Sequence, residues 1–365
     1  MNQKYLLLLI LSALLSCQKD DQPKNIGSNT PIYFPPVNSD TWETISPESL
    51  GWNASEIPAL NQLLEDNGTR AFILLKNGKI VMEKYFGKNL TGLKPFDQSA
   101  IWYWASAGKT LTAFTVGKAQ EEGFLKIQDQ TSDYLGIGWT SETASQESKI
   151  TIRHELTMTS GLDDGVADSH SLKPEDLIYK ADAGSRWSYH NGPYTLLENV
   201  VEKATAQKFD TYFKAKLTDQ IGMNGFWQWI DNDHVYFSTA RSMARFGLLI
   251  LNKANWNGTK IMSDSNYFSE MISSSQQLNK SYGYLWWLNG KESFRIPESQ
   301  LEFKGSVSPN GPADMVSGIG KNGQYVSIVP SKGLVMVRMG ENPESVPVPF
   351  MFLDDIWRYL NQIIK

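Results

Sequence analysis

Trp104-Ala105-Ser106-Ala107-Gly108-Lys109-Thr110 runs on into Leu111-Thr112-Ala113-Phe114-Thr115-Val116. The composition after Lys109 predicts a mostly buried helix, which Gly123 stops. Ser106 then sits at the helix N-terminus, and Lys109, three residues on, projects from the same face. A serine hydroxyl attacks a carbonyl only when something takes its proton. A lysine in a dry cleft can do so, because burial and nearby positive charge lower its pKa. The helix N-terminus adds a positive field where an oxyanion would form. Taken by itself, Ser-x-x-Lys reads first as a helix-capping serine with an exposed lysine, so the flanking sequence decides.

Upstream, Ile57, Leu60, Leu63 and Leu64 fall at helical spacing after a cap at Asn53 or Ser55. Two apolar runs, Ala71 to Lys76 and Lys79 to Phe86, flank Asn77-Gly78, a strong hairpin signal. Downstream, Ser188 to Ala206 and Ala240 to Asn252 read as helices, and Asp163 to Ser171 as a polar loop. Strand signals return at Tyr282 to Leu288, Gln324 to Val329 and Leu334 to Arg338, with a turn at Ser331-Lys332-Gly333. Phe352, Ile356, Tyr359, Leu360 and Ile363 make a closing helical stripe. The expected fold is α/β: an antiparallel sheet flanked by helices, built from residues 42–127 and 280–365, with a mostly helical domain, 128–279, inserted.

Two further stretches carry chemistry. In Trp187-Ser188-Tyr189-His190-Asn191-Gly192, Tyr189 could shuttle a proton beside the lysine, Asn191 could orient the lysine and a substrate amide, and His190 could line the cleft. Met315-Val316-Ser317-Gly318-Ile319-Gly320-Lys321-Asn322-Gly323 is a glycine-rich entry to a strand, where backbone N–H groups can approach a ligand. Each alone is also an ordinary turn.

In this order the three stretches resemble the serine β-lactamase and penicillin-binding protein superfamily. The match is to its branch of class C β-lactamases, D-Ala-D-Ala carboxypeptidases, esterases and 6-aminohexanoate-dimer hydrolases. Ile150 to Leu162, Phe237 to Leu249, Tyr282 to Trp287 and Gly323 to Pro330 support the resemblance, which runs from about residue 45 to the end. It implies a β-lactamase/transpeptidase-like fold, Ser106 as acylated nucleophile, Lys109 as base, Tyr189 as second proton-transfer group and Asn191 as orienting residue. The oxyanion hole would use the Ser106 N–H and one from Ser317, Gly318 or Ile319. The departure is the third motif. Family β-lactamases carry Lys-Thr-Gly, whereas this chain offers Met315-Val316-Ser317 or Val316-Ser317-Gly318, neither with a cation. Lys321 could substitute if its turn folds back. The expected activity is hydrolysis of esters or amides through an acyl-enzyme. A true β-lactamase, a D-Ala-D-Ala carboxypeptidase or a non-catalytic envelope module are the alternatives.

His154-Glu155 starts a zinc H-E-x-x-H pattern, but residue 158 is Met. Trp104 replaces the first glycine of a G-x-S-x-G elbow. No metal and no cofactor is therefore expected. Trp102, Tyr103 and Trp104 could wall the substrate or pack the core. With 41% hydrophobic residues and 12 Trp in 365, a sizeable core is available. The net charge of −5 argues against a nucleic-acid partner.

Lys4 followed by the apolar run Tyr5 to Leu15 reads as a signal segment, 1–16. It ends at Cys17, the single cysteine of the chain. This resembles a bacterial lipoprotein signal, with lipid on Cys17 as a membrane anchor. Residues 17–41 then read as a tether. Gln18-Lys19-Asp20-Asp21 resembles an acidic signal for the cell surface. The expected location is the bacterial cell envelope.

Overall fold

Asn77 and Gly78 both adopt positive φ, 46° and 83°, as a two-residue hairpin turn requires to match strand twist. The computed structural model, which describes residues 31–364, builds the expected hairpin on that turn. Helix α1 (Ile57–Asp66) leads into β1 (Thr69–Lys76), which pairs antiparallel with β2 (Lys79–Tyr85). The helix starts later than the sequence suggests. Asn53 makes no side-chain cap and instead accepts a hydrogen bond from Ser55 Oγ at 2.7 Å.

Next in the chain come β3 (Trp102–Tyr103), α2 (Lys109–Glu121) and α3 (Asn191–Thr205). They are followed by β4 (Gly225–Ile230), β5 (Asp233–Ser238) and α4 (Ala240–Leu251). The chain closes with β6 (Trp287–Leu288), β7 (Val316–Gly320), β8 (Gln324–Val329), β9 (Leu334–Gly340) and α5 (Phe350–Ile363). The main sheet runs β2-β1-β9-β8-β7-β6, antiparallel throughout. Its strands β1, β8 and β9 are buried along almost their whole length because helices cover both faces. Val326 and Val335 face α4, where Gly247 admits them. A Cβ at Gly247 would lie 2.5 Å from Val335 Cγ1. Alternate residues face α5: the Arg338 guanidinium lies 5.2 Å from the Phe352 ring centroid. The architecture is a mixed α/β fold, as the sequence implies.

Of the strand regions not foreseen, two bear on the site. The middle of the chain holds the β4–β5 hairpin, which joins β3 in a three-stranded sheet ordered β3-β5-β4. Most of β4 is exposed, so its side chains give no clean apolar alternation. The glycine-rich stretch after Met315 is itself a strand, β7, and not merely an entry to one.

Of the tether expected over 17–41, residues 31–41 are described, and they pack on the fold instead of extending from it. Ile32, Tyr33 and Phe34 pack against the core, Tyr33 N donates to Asn77 O at 3.0 Å, and Phe34 meets the Trp256 ring edge-on at 5.1 Å. Arg245 holds the carbonyls of Pro36 and Ser39 at 2.9 and 2.8 Å. Apolar Ile32 to Phe34 gains by burial, and a buried arginine satisfies the backbone that follows. The signal segment and Cys17 lie outside the described residues.

Candidate active site

The turn that carries Ser106 is held from below by β5. Trp104 N donates to Tyr236 O at 2.8 Å, and its buried indole Nε1 donates to Ser238 Oγ at 2.7 Å. Ala105 then takes φ 47°, a left-handed conformation that costs an alanine about 1–2 kcal/mol. It reverses the chain into a 3-10 turn, Ala105–Gly108, which runs straight into α2. Ser106, partly exposed, is thereby presented at the helix N-terminus. Trp102 and Trp104 are 4% and 0% exposed, so both belong to the core and neither walls a substrate. Tyr103 is partly buried, and its hydroxyl accepts from Asn322 Nδ2 at 2.8 Å.

Lys109 Nζ lies 3.1 Å from Ser106 Oγ. The side chain is 4% exposed, roofed by the Tyr194 ring at 4.1 Å and the Tyr189 ring at 5.1 Å. Burial drives its pKa down to about 7, with the carboxylates of Asp233 and Glu198 pulling the other way. A lysine with that pKa spends much of its time as a free amine at neutral pH, as a general base must.

Tyr189 stacks on Trp287, ring centroids 6.1 Å apart and planes at 17°. Burial raises its phenol well above 10, against a smaller opposing effect of Ser106, so it keeps its proton near neutrality. Asn191, at the first turn of α3, is not bonded to Lys109. Its Nδ2 donates to His170 Nε2 at 3.1 Å, and His170 Nδ1 donates to Asp233 Oδ1 at 2.7 Å. Burial pushes the Asp233 carboxyl up, but the hydrogen bond and charge interaction with His170 and the neighbouring Lys109 and Lys321 outweigh it and hold Asp233 below the usual carboxylate range. His190 is buried with neither ring nitrogen hydrogen-bonded. Burial lowers it to about 4, so it is neutral and has no bond to the other candidate residues.

On β7 the pleat separates the third motif into two faces. Gly318 and Gly320 abut the Ser106 turn. A Cβ at Gly320 would lie 2.5 Å from Trp104 O, 2.9 Å from Ala107 N and 3.1 Å from Ser106 N. Ser317 and Ile319 point to the opposite face, where Ser317 Oγ is 2.8 Å from Ser327 Oγ. The Ser317 hydroxyl is therefore unavailable to a substrate, and this strand can contribute only backbone. Met315 and Val316 are buried. Lys321 is exposed at the hairpin tip and is felt by Asp233.

Sequence reasoning missed His170, Asp233, Tyr194 and Glu198. Asn191, Tyr194 and Glu198 recur at three and four residues along α3, one helical face, and that spacing could have flagged the last two. His170 and Asp233 come from a loop and a strand distant in sequence, with no local signal.

A family model described as Beta-lactamase matches residues 62–347. Over 181 residues the chain is 26% identical to a penicillin-binding protein, PbpX, of Bacillus subtilis (strain 168), covering 46% of this chain and 44% of that protein. It thus spans less than half the length of that relative. It is 22% identical over 335 residues to the 6-aminohexanoate-dimer hydrolase of Paenarthrobacter ureafaciens, 80% of this chain and 77% of the other. A solved structure described as a 6-aminohexanoate-dimer hydrolase from Bacillus anthracis superposes with a TM-score of 0.66 at 19% identity, over 92% of this chain and 91% of that one.

Proposed function

The chain belongs to the beta-lactamase family, and from that premise we propose that it is a serine hydrolase that cleaves uncharged esters or linear amides through an acyl-enzyme. The observation that carries this reading is the 3.1 Å approach of buried Lys109 Nζ to Ser106 Oγ. Neutral Lys109 takes the Ser106 proton as Oγ bonds to the carbonyl carbon. The developing oxyanion lies at the N-terminus of α2, beside the backbone of β7. Collapse expels the alcohol or amine, which receives its proton from the Tyr189 phenol; Lys109 returns a proton to Tyr189. Water, deprotonated by the same pair, then releases the acid and restores Ser106.

The substrate class follows from charge. Penicillins and cephalosporins carry a carboxylate, and in the resembling β-lactamases the Lys of the third motif helps hold it. Met315, Val316 and Ser317 supply no cation, and the Asp233 carboxylate faces the site's charges. Losing a charge-assisted hydrogen bond costs about 1.5–3 kcal/mol, roughly 10- to 100-fold in affinity. The likeness to a 6-aminohexanoate-dimer hydrolase supports linear amides as a class to test. One observation favours the β-lactamase alternative: Lys321 is close enough to Asp233 to influence it, a cation at the site's edge.

The test is a panel of p-nitrophenyl esters, linear amides, D-Ala-D-Ala peptides and nitrocefin, with a fluorophosphonate probe for Ser106. The expected result is labelling of Ser106 and a higher kcat/KM on the best ester or amide than on nitrocefin. Nitrocefin turnover equal to the best ester makes the protein a β-lactamase. No labelling and no turnover makes it a binding module.

A further inference from the structure

A cavity of about 410 Å3 lies between α3, the β4–β5 hairpin and the short helix Phe209–Phe213. It is separate from the group around Ser106. Asp233 and His234 are neighbours on β5 and so point to opposite faces, Asp233 to His170 and His234 to this cavity. His234 and Glu198 line its buried end, their side chains 6% and 5% exposed, and His234 Nδ1 donates to Glu198 Oε2 at 2.6 Å. The other carboxylate oxygen, Glu198 Oε1, is buried with no hydrogen-bond partner. A buried carboxylate oxygen without a donor is costly to leave so. Glu202, one turn along α3, is satisfied: it accepts from Lys208 Nζ at 3.2 Å and from Phe209 N at 3.0 Å. Asp210 is not, since its Oδ1 stands 3.8 Å from His234 Nε2, beyond hydrogen-bond range. Trp229 faces His234 across the hairpin, stacks on it at 4.4 Å with planes at 11°, and stays 46% exposed at the rim.

We propose that this cavity binds a primary ammonium group carried on a short organic ligand, with Glu198 and Asp210 as its acceptors and Trp229 as its aromatic wall. The site stands apart from the hydrolase reading and does not depend on it. An ammonium brings three donors and no acceptor, which suits the orphaned Glu198 oxygen and the unpaired Asp210. Bonds of this kind are charge-assisted and stronger than neutral ones. The face of a tryptophan ring adds a cation–π attraction. The cavity is also in the size range of small-molecule pockets, with room for a carbon stem behind the charge.

The lining selects the occupant. The carboxyls of Glu198, Glu202 and Asp210 face one lysine, Lys208, which is spent on Glu202, so an anion is repelled. The spacing favours an ammonium over a metal ion: among the described residues, no three His, Cys, Asp or Glu side chains come together to hold a metal. Glu198 also responds to its setting. Burial pushes its carboxyl up to about 7, against the hydrogen bond and charge of His234, while Asp210 and Glu202 add to the rise. On the far side, Lys109 of α2 feels the Glu198 charge, and so does Tyr194 on α3. A bound cation supplies the counter-charge that Glu198 lacks, so binding favours the ionised carboxylate and tightens as pH rises through that range.

The test titrates the full chain with n-butylamine hydrochloride in a calorimeter, with n-butanol as the uncharged isostere and magnesium and zinc chlorides as metal controls. Butylammonium should bind at least about tenfold tighter than butanol, and about tenfold tighter at pH 8 than at pH 6 as Glu198 ionises. Glu198→Gln keeps an oxygen for His234; it should weaken binding at least about tenfold and abolish the pH dependence. Asp210→Asn and Trp229→Ala, both at exposed positions, should each weaken it about threefold, and they carry the test if Glu198→Gln does not fold. Asp233→Asn, on the opposite face of β5, should leave the affinity unchanged. No binding, or equal affinity for butylammonium and butanol, makes this a water-filled cavity and overturns the proposal. A loss in Asp233→Asn as large as in Glu198→Gln puts the amine at the Ser106 centre and overturns it too. Displacement of butylammonium by zinc or magnesium at lower concentration makes the site a metal site, not an ammonium site.

Discussion

Lys109 holds its proton weakly because the protein has removed the water that would solvate an ammonium ion, and this sets the pH response. Below pH 7 the lysine is protonated and cannot accept the Ser106 proton; above it the amine is free. kcat/KM should rise with pH through an apparent pKa of about 7 and level off, since the Tyr189 phenol stays protonated beyond that range. Asp233→Asn removes an anion that favours the ammonium form, so the rising limb should move to lower pH in a stopped-flow pH profile. A limb that moves up, or stays, assigns the titration to another group. Lys109→Ala should cost nearly as much activity as Ser106→Ala, because residues acting as a unit are non-additive. Tyr189→Phe should lower kcat about 10²-fold, the scale of a lost general acid. Gly320→Ala belongs to the same scale. Its new methyl would meet backbone at 2.5 and 2.9 Å, which no side-chain rotation relieves. The expected costs are about 1–3 kcal/mol of stability in urea melts and a larger loss of kcat than of stability, as β7 is pushed off the nucleophile turn.

The elements differ in how openly the sequence announces them. The Asn77-Gly78 hairpin, α1 and α5 are plain, since a turn pair or one apolar face specifies each. Strand β7 is hidden for a reason tied to its job. Gly318 and Gly320 must admit the nucleophile turn, and the glycines that allow this erase the β-propensity by which a strand is read. Ser106, Lys109 and Tyr189 were legible because adjacent residues or a motif carry them. The His170–Asp233 pair was not, because only the tertiary fold brings it to Asn191. Arg338, buried in β9, is a further hidden specification. Its guanidinium donates to Thr69 Oγ1 and to the carbonyls of Asn322, Gly323, Asn67 and Glu341, tying β9 to the hairpin tip beside the site. Burial lowers its pKa to about 10, so it stays charged at neutral pH. Arg338→Met strands those carbonyls, and a loss of about 2–4 kcal/mol is expected in thermal or urea unfolding.

At the scale of the whole molecule, the N-terminal reading yields a test of its own. Expressed in a Gram-negative host, the full chain should partition with membranes, and Cys17→Ser should release it or leave an unprocessed precursor. Equal labelling of wild type and Cys17→Ser by a tagged fatty acid rules out lipid at that residue. The sheet carries a different consequence. Within it β1 pairs with β9, so two segments made at opposite times of synthesis must meet before the core exists. Ser106 and Lys109 leave the ribosome long before Gly318 and Gly320, which back them. Until β7, β8 and β9 have emerged, the sheet that backs the Ser106 turn is incomplete, and the expectation is that Lys109 is not yet dried. On the proposed hydrolase reading the nascent polypeptide is therefore chemically silent, and Ser106 becomes a competent nucleophile only after the last strands have been translated and paired.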